Sequence, residues 1–138
     1  MTPQEQLIKN KRNFIQISPH NISYGFGTLN IQELDGSYSW YIPSFDIYFS
    51  SKTKEQGNER ARAMVKSFFN FWLTNQGFRA FALQLFKLGY KTSTHAEFKN
   101  LLNRTNLKAT LKSSLSKLPP EFEGSEVLSL EGDLSIAV

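Results

Sequence analysis

The chain contains no cysteine and only two histidines in 138 residues. Without thiols there is no disulfide, no thiolate nucleophile and no cysteine-based zinc site. No window reaches the roughly 18 uncharged apolar residues that a membrane-spanning helix needs, so no membrane partner is expected. The opening Met1-Thr2-Pro3-Gln4-Glu5 lacks the basic start and apolar stretch of a secretory signal. A cytoplasmic, microbial protein is the plain expectation. HExxH, GxSxG and Cys/His metal spacings are also missing, as are internal repeats and low-complexity linkers.

What the chain does have is aromatic mass. Twelve Phe and two Trp stand within a hydrophobic content of 40%, which argues for a folded globule. The length suits one domain that buries roughly two-thirds of its unfolded surface. Charge is uneven: residues 1–118 carry all 16 Lys and Arg against seven acids, and residues 119–138 carry five acids and no base. A basic body attracts nucleic acid or an acidic partner, unless the acidic tail folds back over it.

The order of elements follows from periodicity and punctuation. Thr2-Pro3-Gln4-Glu5 has the spacing of a capping box, and Leu7, Ile8, Lys11, Phe14 and Ile15 recur at helical spacing, so residues 1–21 are expected as an N-terminal helix and its exit. Ile22–Leu34 alternates as a strand, and Asp35-Gly36 suits a type I′ hairpin turn. Ser37–Ser51 continues as strand, with a bulge or corner expected at Pro43-Ser44. From Thr53 to Asn75 the period becomes helical, with Ala61, Met64, Val65, Phe68, Phe71 and Trp72 as the expected buried stripe. Gly77 interrupts, a second helix runs to Gly89, and Thr94-His95-Ala96-Glu97 opens a third. Leu107, Leu111, Leu115 and Leu118 predict a further helix before Pro119-Pro120, making 76–118 helical throughout. Glu126–Val138 alternates around Gly132 and predicts one bulged strand or a small hairpin within the acidic tail, 119–138. The expected fold is a single α+β domain: a small antiparallel sheet, a crossover helix on one face, and additional C-terminal helices.

Candidate chemistry is sparse. His20 falls in a turn without an evident partner, and His95 opens a helix. A small RNase-type enzyme using His95 as its base is the third choice of function. Glu33, Asp35, Asp46 and Glu55 are the acids available to a metal, but the turn explains Asp35 and the helix start explains Glu55. Gly25-Phe26-Gly27 precedes a strand and lacks a following Gly-Lys-Ser/Thr, which argues against a nucleotide loop. No catalytic residue, metal or cofactor is therefore expected. Arg60, Arg62, Lys66 and Arg79, with Lys87 and Lys91 nearby, form a basic set able to line phosphates if they share a face, with Tyr38, Trp40 or Tyr48 stacking bases. Phe68, Phe69, Phe71 and Trp72 make the first long helix apolar most of the way round, which predicts a protein interface and a homodimer.

The unit over residues 24–73 resembles the HicB-like family of antitoxin-type, partly RNase H-like domains. The matching positions are Asp35-Gly36, Tyr41-Ile42-Pro43, and then Thr53, Glu55, Glu59, Ala61 and Val65. The family's Leu-Pro-Gly turn is replaced here by Ser44-Phe45-Asp46-Ile47, and Gly57 stands where the family usually has Ala. The C-terminal part does not look like the DNA-binding segment that many members append. Leu88-Gly89-Tyr90 before His95 is distantly similar to the partner toxin family, without its Gly-Ser-His context, and catalysis is not carried over. The resemblance implies a non-enzymatic, antitoxin-like regulatory module with a small toxin-like protein as partner. A nucleic-acid-binding domain is the alternative.

Overall fold

A computed structural model describes residues 13–103, 105, 108–113, 122 and 126–136. The fold is α+β. Its strands are β1 (Phe14–Ile17), β2 (Asn21–Gln32), β3 (Tyr38–Ile42), β4 (Ile47–Ser51), β5 (Tyr90–Thr92), β6 (Ala109–Ser113) and β7 (Glu126–Ser135). Its helices are α1 (Lys54–Phe71), α2 (Phe78–Lys87) and α3 (His95–Asn103), with a π-helical turn over Trp72–Gln76 at the end of α1. All seven strands join one antiparallel sheet.

The long strand β2 organises the sheet by forking it. Along one edge β7 pairs with β2 from Asn21 to Asn30. Along the other edge, Ile22–Gly25 pair with β1 and Leu29–Gln32 pair with β3. One wing continues through β6 to β5, and the other ends at β4. At the fork the Gly27 N–H has no strand opposite it, and a buried backbone donor left without a partner costs about 1–3 kcal/mol. The Asn13 side chain fills that place: its Oδ1 accepts from Gly27 N at 2.8 Å. Gly25 and Gly27 lie inside this strand.

Turn chemistry sets the β2–β3–β4 wing. Gly36 N–H donates to the Glu33 carbonyl at 3.0 Å, and Gly36 has φ 89°. Gly36 has a left-handed φ and Asp35 does not, so this is a one-glycine turn and not the expected type I′ pair. Asp35 instead accepts from the Ser37 backbone N–H at 2.9 Å. At Pro43–Asp46 the chain turns sharply, as expected, with Asp46 at φ 54°.

Side chains on even positions of β2 face the helices: Ile22, Tyr24 and Phe26 join Ile15, Ile42, Val65, Phe69, Phe81, Leu85 and Leu111 in the main core. On the reverse face of the β3 wing, Leu29, Tyr41 and Phe122 form a smaller cluster. The β7 ladder is regular and has no bulge. Gly132 lies opposite Tyr24, where a Cβ would come within 2.7 Å of the phenol ring.

Three expectations are corrected. Of the N-terminal helix, residues 1–12 lie outside the described set, while Phe14–Ile17 form a strand held between β2 and β6. Leu111 lies in a strand as well, because Ala109 and Leu111 alternate into the core beside Ile17 and Ile15; Leu107, Leu115 and Leu118 are outside the described residues. Strand β5, at Tyr90–Thr92, was not anticipated.

Candidate interaction surfaces

Helix α1 carries most of the singled-out residues, and its position follows from its sequence. The Thr53 hydroxyl caps it by accepting from Gln56 N–H at 3.1 Å. Gly57, Ala61, Val65 and Phe69 recur along its buried stripe. Gly57 is required: a Cβ there would fall 2.1 Å from the Trp40 indole. That indole is fully buried and donates through Nε1 to Ser51 Oγ at 2.9 Å. The Trp40 ring thus occupies the space that a Cβ at position 57 would need. Neither Trp40 nor Tyr38 offers a base-stacking face like that of Tyr48, which is 52% exposed and stacks on Tyr41 with centroids 4.2 Å apart.

Near its start α1 reaches both sides of the sheet, packing on β3, β4 and β7. Arg60 Nη1 donates to the Ser50 carbonyl of β4 at 2.7 Å, and Arg62 Nη1 donates to the Glu131 carbonyl of β7 at 2.9 Å. Lys54 Nζ adds an ion pair to Glu126 at 2.6 Å. Residues two apart on a helix point to nearly opposite flanks. Arg60 and Arg62 therefore hold opposite strands, and they do not share one phosphate-binding face. Lys66 lies in the groove with Arg62, and Arg79 is on α2.

The groove between α1 and β7 has a volume of about 440 Å³. Tyr24, Phe26 and Gly132 line it, together with Glu59, Arg62 and Lys66 of α1 and Glu131 and Asp133 of β7. Burial, aided by the Asp133 carboxylate, pushes the Tyr24 hydroxyl above its ordinary pKa of 10.0, and Arg62 opposes the shift.

The far end of α1 differs in kind. Phe69 is fully buried, against the expectation that it joins an interface, and Phe71, expected in the buried stripe, is 49% exposed. Phe68 and Trp72 are half-buried against the core. Phe71 meets the Trp72 ring edge-on at 5.7 Å, and Phe68 meets Trp72 at 6.4 Å. The helix loosens at this point: the Trp72 N–H is shared between the carbonyls of Phe68 and Phe69, and the π turn runs to Gly77, whose φ is 87°. From Ser67 to Phe78 there is no charged side chain.

The remaining candidates do not converge. His95 is exposed at the first position of α3 and stacks on Phe98 at 5.7 Å. It borders a hollow of about 450 Å³ with Lys91, Thr92 and Phe86. The α3 start is already satisfied, since Thr94 Oγ1 accepts from Glu97 N–H and the Glu97 carboxylate accepts from Ser93 N–H, both at 3.2 Å. His20 sits in the β1–β2 turn, its carbonyl accepting from Ile136 N–H at 2.9 Å. Glu33 accepts from the Ser39 hydroxyl and Asp46 from the Tyr41 hydroxyl. Among the described residues no group of three His, Asp or Glu could hold a metal ion, and no helix is long and apolar enough to cross a membrane. Lys87 and Lys91 lie on α2 and β5.

Sequence reasoning missed the edge-holding roles of Arg60 and Arg62 and the fit of Trp40 to Gly57. A glycine inside an otherwise strong helix was the one available signal for that fit. No known protein-family model, curated protein or solved structure matches this chain.

Proposed function

We propose that this chain is a non-enzymatic protein-interaction module that pairs with a second copy of itself through the uncharged end of α1. The observation that carries the reading is the surface over residues 67–78, where Phe71 is half exposed beside half-buried Phe68 and Trp72, with no charge along the segment. In a two-fold pair each patch meets itself, so a charged patch repels its own copy and an uncharged aromatic one does not. Aromatic side chains supply large contact area at low entropic cost. The HicB-like resemblance rests on residues 24–73, with Asp35-Gly36, Tyr41-Ile42-Pro43 and Thr53 among its markers. That likeness supports an antitoxin-like regulatory role with a small toxin-like protein as a further partner.

Sedimentation equilibrium tests the pairing. The wild type is expected to rise from 15.8 kDa towards twice that mass with concentration. Phe71→Glu is expected to stay at the monomer mass with its fold unchanged. A wild type that remains monomeric at the highest concentration overturns the reading.

A further inference from the structure

The β2–β7 ladder directs the backbone groups of alternate β7 residues. Those of even-numbered residues point towards β2: the Leu128 carbonyl accepts from the Thr28 hydroxyl at 3.3 Å, and Ile136 N–H reaches the His20 carbonyl at 2.9 Å. Those of Glu131 and Asp133 therefore point away from it. Among the described residues no strand pairs with that outer edge. The Arg62 guanidinium reaches the Glu131 carbonyl from this side. An outward edge beside a groove of about 440 Å³ is the geometry into which an extended peptide adds as a strand.

The edge also has a preference. Glu131 and Asp133 are exposed and share the sheet face away from the helices, so an added strand sets two of its own residues, spaced i and i+2, against them. Basic residues fit there. The residue between them comes beside Gly132 and the Tyr24 ring, where an apolar side chain fits. A second copy of β7 is disfavoured at this edge, because it would set acid against acid.

We infer that the β7 edge receives an extended segment of a partner protein with the pattern basic–apolar–basic, which takes the Glu131 carbonyl from Arg62. This surface is separate from the aromatic end of α1, and the inference stands whether or not the chain dimerises.

The test uses a blocked synthetic peptide with Lys-Val-Lys at its centre, a matched peptide with Glu-Val-Glu, and the full chain. The basic peptide is expected to bind and to slow hydrogen exchange at the Glu131 and Asp133 amides, with the acidic peptide at least tenfold weaker. Arg62→Ala removes the competing donor and is expected to tighten binding severalfold. Asp133→Pro deletes an outward N–H while sparing the bonds to β2, and is expected to abolish binding. Should that variant not fold, Asp133→Lys serves in its place and is expected to weaken the basic peptide tenfold or more. Equal binding of both peptides, unchanged exchange along β7, or a dimer of the chain joined at this edge would each overturn the inference.

Discussion

The two halves of α1 are held by different physics. Its first half is fixed by fitted contacts: a capping hydroxyl on Thr53, the Trp40 ring against Gly57, and Arg60 and Arg62 each bonded to a strand carbonyl. Its second half is held by aromatic mass, with Phe69 packed on Tyr24, Phe45 and Phe81, and it ends in a loosened turn beside half-exposed Phe71. The lesson is about surplus. Arg60 and Arg62, two of the basic side chains that suggested nucleic-acid binding, are bonded to strand carbonyls, whereas the aromatic end leaves Phe71 half exposed. That surplus is where a partner finds purchase.

The largest effect that sharpens this contrast is expected from paired truncations. Phe69→Ala opens a cavity in the core and should cost about 3–5 kcal/mol in chemical denaturation. Phe71→Ala, two residues on, should cost monomer stability less than about 0.5 kcal/mol. Equal losses would erase the distinction between packed and surplus aromatics. Next in size is Gly57→Ala. Alanine normally gains in a helix, but here the new methyl must displace the Trp40 indole, and the net loss should be about 1–3 kcal/mol. A gain in melting temperature would show that the first half is not a fitted contact.

The smallest effect concerns pH at the α1–β7 seam. Burial raises the Tyr24 hydroxyl pKa above 10.0 in the folded chain, and so favours its neutral form there. A folded value above the unfolded one means that this contribution is fully present below pH 10.0 and is lost as pH rises through the folded value. Thermal stability should therefore fall in that alkaline window, and Tyr24→Phe should flatten the fall. Tyr41 and Tyr90 are raised too, chiefly by burial, and should sustain part of the fall in that variant.

Local chemistry was legible in the sequence. The Asp35-Gly36 hairpin, the break at Pro43, the Thr53 and Thr94 caps and the stops at Gly77 and Gly89 each rest on a few adjacent residues, and each lies where its residue type requires. The β1–β6–β5 wing was not legible. Its strands are only three to five residues long and owe their state to partners distant in the chain, as Ile15 does to both Tyr24 and Leu111. Leu111, spaced for a helix, gave way to that pairing. The site shows the same limit. A helical stripe admits both Phe69 and Phe71, and only the packing of Tyr24 and Phe81 decides which is buried. The Arg60 and Arg62 contacts depend on strands lying on opposite flanks of one helix, an arrangement that spacing alone does not encode.

The most direct test of the central claim exploits the absence of cysteine. A single thiol placed at Asn75, exposed in the loosened turn, carries one spin label per chain; a second variant carries it at Leu34, on the exposed hairpin tip far in sequence from the patch. Pulsed dipolar spectroscopy should show coupling between copies for the Asn75 label that Phe71→Glu removes, and none for the Leu34 label. No coupling at Asn75 in a concentrated sample, or coupling at Leu34 alone, would contradict pairing through the end of α1.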